Sequence, residues 1–128
     1  MFEYHGWVSL RAHASAADDE LSLRLDEIRA LVGEFSDYGL MDLRALNGEY
    51  YIHLAGCPNR SGPWGSGIID LFTRIGQLAR GSYGLLYVHD DEDAAYAAGF
   101  RVFRMARGLV TVQADTLLSP VVPVLHDR

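Results

Sequence analysis

His89-Asp90-Asp91-Glu92-Asp93 sets an imidazole beside four consecutive carboxylates, directly after the apolar, aromatic-rich stretch Tyr83 to Val88. Carboxylates and imidazoles are metal ligands, so a cation site is the first chemistry to weigh. The spacing argues against it. Adjacent residues on a strand or turn diverge, and the segment lacks the alternating carboxylates, central glycine and distal glutamate of a calcium loop. What remains is a packed element with a dense negative charge at its end, a surface suited to a basic partner.

The other reactive residue types do not assemble into a catalytic pattern. His5, His13, His53, His89 and His126 are scattered, with no pair at the i, i+4 spacing of a helical zinc site, so no metal is expected. Several of them fall on or beside predicted strands, where structural roles are the expectation. Serine nucleophiles need a base beside them, and no Gly-x-Ser-x-Gly elbow flanks any serine. Ser82 and Ser119 are the candidates that would have to meet His89. Cys57 is the only cysteine, which rules out an internal disulfide and predicts a small, partly buried residue before a turn. Neither a dinucleotide-binding glycine pattern nor a phosphate loop is present, so no cofactor is expected.

Charge narrows the partners. Eleven basic residues face seventeen acidic ones, a net charge of −6, which gives little purchase on a phosphate backbone. Nucleic acid is therefore not the expected partner. All the basic residues are arginine, which removes Schiff-base and general-base lysines from consideration. Trp64 lies in a proline- and glycine-rich stretch with Asn59 and Arg60 and has no periodic face to join. A tryptophan beside an arginine is an interface anchor or a lid over a sheet edge.

These residues need elements to hold them. At 128 residues, 49% of them hydrophobic and 22% charged, the chain makes one domain, 1–128, with a core of its own. No apolar run approaches the ~20 residues of a spanning helix, and no export signal is visible, so the expected location is the cytoplasm. Trp7 to Ala12 alternates as a strand. Ser15, three residues before Asp18, starts a helix whose stripe is Leu21, Leu25, Ile28, Val32 and Phe35. Met41 to Leu46 and Glu49 to Leu54 flank Asn47-Gly48, the strongest short hairpin signal. Gly56 to Gly67, with two prolines and four glycines, reads as a loop. Ile68, Leu71, Phe72, Ile75 and Leu78 mark a second helix, with Gly81 at a left-handed cap. Tyr83 to His89, Phe100 to Met105 and Leu109 to Ala114 follow as strands, and Leu117 to Pro123 as an extended tail. The fold class is α+β: a ferredoxin-like βαββαβ core, a mainly antiparallel sheet with helices on one face, plus a C-terminal ββ hairpin.

In Phe2-Glu3-Tyr4-His5-Gly6-Trp7, in Gly81 to Glu92, in Arg107-Gly108 and in the stretch Asp115 to Pro123, the chain resembles the immunity protein seven family of bacterial polymorphic toxin systems. The resemblance runs in order along nearly the whole chain. It implies an α+β binding protein, not an enzyme, that protects its own bacterium by stoichiometric capture of a cognate toxin C-terminal domain. An acidic inhibitor suits a basic toxin, most naturally a nuclease whose substrate phosphates it mimics. Contacts are then expected at Asp90, Asp91, Glu92 and Asp93, with Trp64, Arg60 and Asn59 on the same rim. The alternative is a small ferredoxin-like enzyme or ligand-binding module that uses His53 or His89 with a nearby carboxylate. A third reading is a structural subunit that dimerises through a sheet edge.

Overall fold

The computed structural model describes residues 1–12, 18–37, 39–59, 62–96 and 98–120. Ser15, His13, Arg60, Pro123 and His126, all named above, lie outside the described residues. In chain order the elements are β1 (Phe2–Leu10), α1 (Asp18–Gly33), β2 (Leu40–Leu46), β3 (Glu49–Gly56), α2 (Gly62–Leu78), β4 (Tyr83–Asp90), β5 (Arg101–Ala106) and β6 (Leu109–Ala114), with a single 3-10 turn at Ala94–Tyr96.

The strands form one six-stranded antiparallel sheet in the order β2-β3-β1-β4-β5-β6. β1 is central because both of its edges find long partners: Val8 lies opposite Ile52 on one side and Gly84 on the other. Alternation then decides what each face holds. Phe2, Tyr4, Val8 and Leu10 of β1, Ile52 and Leu54 of β3, Leu86 and Val88 of β4, and Phe103 and Met105 of β5 join one buried cluster. Leu25, Ile28 and Val32 of α1 and Ile68, Leu71, Phe72 and Ile75 of α2 complete it, so both helices pack on that face. On the opposite face Phe100, which follows the 3-10 turn, lies against Tyr87 and His89.

Two hairpins fix the register at the ends of the sheet. Asn47 and Gly48 have φ of 53° and 81°, and Arg107 and Gly108 have φ of 50° and 74°. Positive φ at both central positions gives a turn whose twist matches that of the strands it joins. β4 approaches β1 closely at Gly84, where an added Cβ would run into the Trp7 carbonyl oxygen.

Four expectations are corrected. The stretch from Gly56 to Gly67 is not all loop, because α2 starts at Gly62. Pro63 fits there, since amides in a first helical turn have no intrahelical acceptor to lose. Gly81 is not among the residues with positive φ; its amide bonds instead to the carbonyls of Arg11 and Ala12, both at 2.9 Å. β1 starts at Phe2 rather than Trp7. Cys57 is exposed, not partly buried.

Candidate functional site

The acidic run emerges from β4 as a tight, internally bonded turn. Asp90 Oδ1 accepts the Glu92 amide at 3.0 Å, and the Asp93 amide donates to the Asp90 carbonyl at 3.1 Å. Asp93 Oδ1 accepts the Ala95 amide at 3.1 Å. Aspartate side chains that bond backbone two residues on stiffen a turn and spend one carboxylate oxygen each in doing so. Asp91 Oδ1 pairs with the Met1 amino group at 2.8 Å. That hydrogen bond, with the nearby charges of Asp91, Glu92 and Asp90, holds the amino group above its ordinary pKa against a smaller desolvation effect. Asp91 and Glu92 are exposed, while Asp90 and Asp93 are half-buried. The result is an internally bonded anionic knuckle, with Glu92 its least committed carboxylate.

The sheet brings this knuckle to the rim that carries Asn59. Phe2 lies opposite Asp90, and its amide donates to the Pro58 carbonyl at 2.9 Å. The start of β1 thus sits between the two segments, which places them about 10 Å apart, two strand spacings. Asn59 is exposed there. Trp64 falls in the first turn of α2, not in a loop.

At the other end of β1, on the face opposite α1 and α2, the structure assembles a group the sequence reading did not single out. Tyr83 packs edge-on against Trp7, with ring centroids 6.0 Å apart and planes at 87°. Its hydroxyl bonds to Ser9 and to Arg11, in that order of effect, and this lowers its pKa below the usual tyrosine value. Arg11 Nε donates to Ser9 Oγ at 3.3 Å, and its guanidinium pairs with Glu49 at 2.7 Å. Ser9 is fully buried beneath these groups, yet Tyr83 keeps 45% of its surface exposed. A tyrosine, an arginine and a tryptophan held together in this way have the composition of an interface hot spot. The alternation of Trp7, Ser9 and Arg11 was the available signal, since it puts all three on one face.

The two candidate serine hydroxyls are each bonded to backbone groups. Ser82 Oγ accepts the Arg11 amide at 3.0 Å and donates to the Arg11 carbonyl at 3.3 Å. Ser119 Oγ donates to the Asp115 carbonyl at 2.7 Å and accepts the Phe100 amide at 3.0 Å. His89 is buried with its ring 5.6 Å from Phe100, across the ladder from Glu3, and His53 is exposed across from Asp42. Clefts of about 370 Å³, beside Phe100 and Asp115, and about 450 Å³, between Glu27, Glu34 and Arg74, contain neither histidine. Among the described residues, no group of three or more His, Cys, Asp or Glu is placed to hold a metal ion. No helix is long and apolar enough to cross a membrane.

The described residues thus form a small α+β sheet protein with an internally bonded anionic turn at one end of β1 and an aromatic, arginine-bearing group on the open face at the other. The chain belongs to the immunity protein 7 family, whose model matches residues 1–127. Comparison with curated proteins and with solved structures gave no match.

Proposed function

We propose that this chain neutralises a cognate toxin C-terminal domain by stoichiometric capture in the bacterial cytoplasm. The observation that carries the reading is family membership across essentially the whole chain, which ties the entire domain to immunity. The acidic balance, −6 overall, favours a basic toxin, and a nuclease is the basic class for which carboxylates imitate the substrate's phosphates. In this reading Asp90, Asp91, Glu92 and Asp93 steer the encounter from their rim, with Asn59 beside them and with Arg60 and Trp64 as further candidate contacts. The open face around Trp7, Tyr83 and Arg11 supplies the aromatic contact that holds the complex. The division of labour is physical: exposed charge acts on the association rate, and buried aromatic contact acts on the dissociation rate.

The same reading covers the architecture. β1 between β3 and β4, with β2 outside β3 and each helix linking strands one apart in the sheet, supports a ferredoxin-like split βαβ core extended by the β5–β6 hairpin.

The test is titration of a candidate cognate toxin domain with purified chain. Activity should fall linearly to zero near one equivalent. Complete inhibition by a small fraction of an equivalent would overturn capture and put catalysis in its place.

A further inference from the structure

The two outer strands of the sheet are protected very differently. β2 carries Asp42 and Arg44, paired at 3.3 Å, and charged side chains of this kind discourage a second chain from adding to an edge. β6 reads Leu-Val-Thr-Val-Gln-Ala, with no charge at all. Among the described residues, four of the eight exposed large hydrophobic ones lie in it or just beyond it, Leu109 at 75%, Val112 at 53%, Leu117 at 90% and Leu118 at 78%, against two in β2, Leu40 and Leu46. An uncharged, β-prone edge with an apolar flank is a template for pairing.

The turn at Arg107-Gly108 fixes which backbone groups that edge offers. A two-residue hairpin closes on a hydrogen-bonded pair, here Ala106 with Leu109, and bonded pairs alternate from there. Thr111 with Arg104 and Gln113 with Val102 are therefore bonded pairs, and the Asp115 amide continues the series by donating to the Phe100 carbonyl at 2.8 Å. Val110, Val112 and Ala114 are left with their N–H and C=O groups pointing away from the sheet.

This pattern is self-complementary. An antiparallel second copy with its two-fold axis at Val112 sets Val112 against Val112, Val110 against Ala114 and Ala114 against Val110. All the outward groups are then satisfied by about six hydrogen bonds. On the helix side the facing side chains are valine and alanine, and on the open side Thr111 faces Gln113. No like charges meet. The antiparallel sense also carries Leu109 of each copy to the segment holding Leu117 and Leu118 of the other, which adds apolar area that a short strand pair alone would lack.

We propose that β6 is the interface with a second copy of this chain, joining two sheets edge to edge about a two-fold axis at Val112. The face and rim assigned to the toxin stay outside this edge, so each copy can still hold one toxin domain. The proposal does not depend on the identity of that toxin.

Charge placed on the axis tests it. Val112→Lys and Val112→Glu each set like charges directly opposite one another, at a half-exposed position with little core to lose. Sedimentation velocity across a concentration series should show a dimer for the parent. Each variant alone should dissociate at least about tenfold more readily. An equimolar mixture of the two variants should regain the dimer, a recovery possible only if both are folded. A parent that stays monomeric at every concentration overturns the proposal, as does a dimer that survives in both variants. So does a monomeric parent whose Val112→Lys variant loses the toxin domain, which would give the edge to the toxin.

Discussion

Tyr83 and Tyr4 are two phenols on the same sheet with opposite fates. Tyr83 gains hydrogen bonds from Ser9 and Arg11 that favour its ionised form, while burial of Tyr4 to 2% exposure disfavours ionisation and raises its pKa. An alkaline titration followed by phenolate absorbance should therefore show Tyr83 among the first tyrosines to ionise and Tyr4 among the last. The Tyr83→Phe variant should lose the early limb and keep the late one; an unchanged early limb would mean that the Ser9–Arg11–Tyr83 network does not hold in solution. The linkage runs in different directions for the two. The depressed pKa of Tyr83 contributes stability that is fully present above the unfolded value of about 10 and is lost as pH falls through the folded pKa. The raised pKa of Tyr4 contributes stability fully present below about 10 and lost as pH rises. None of this pairing was legible in the sequence, because Arg11 and Tyr83 lie 72 positions apart and meet only when β1 and β4 pair. Alternation gave the face of each residue but not the strand beside it.

Elements were more legible than contacts, and the errors have physical causes. The Asn47-Gly48 hairpin and both strands around it follow from local turn chemistry alone, which needs no knowledge of the rest of the chain. β1 was read too short because Gly6 interrupts the apolar series Phe2, Tyr4, Val8, Leu10. The structure shows why a glycine sits there: an added Cβ would lie 2.9 Å from Leu86 Cδ1 and 3.2 Å from Leu54 Cδ2, so the core face has no room. The start of α2 was read too late because Gly62, Pro63 and Gly65 look like loop residues when counted by composition. Gly48 supplies the element's own test. Its φ is 81°, and nothing lies within 4 Å of an added Cβ. Gly48→Val should therefore cost about 1–2 kcal/mol through backbone strain alone, with no steric term. Chemical denaturation should show the loss as a lower midpoint at unchanged slope, and an unchanged midpoint would mean the turn relaxes freely.

On the scale of the whole molecule, the family was readable from motifs spread along the chain, whereas the standing of the acidic run needed coordinates. In the sequence, four consecutive acids look equally available. In the structure, Asp90 and Asp93 build the turn, Asp91 pairs with the Met1 amino group, and Glu92 is exposed. This hierarchy sharpens the test of toxin steering. Asp91→Arg with Glu92→Arg spares both turn-building aspartates and removes one ion pair whose partners are about half exposed, so stability should move by no more than about 1 kcal/mol. Net charge rises from −6 by four units, concentrated on one rim. For a basic toxin domain, association measured by stopped flow should slow on the order of tenfold at low salt, with dissociation changed far less. Added salt should slow the parent toward the variant's rate, and the variant should show little salt dependence, because the long-range attraction that salt screens is already gone. A parent rate that ignores salt, or a variant that associates as fast as the parent, would take this rim out of the encounter. A variant that leaves association untouched but releases the toxin faster would instead place the rim inside the bound interface, where its carboxylates act by direct contact and not by steering.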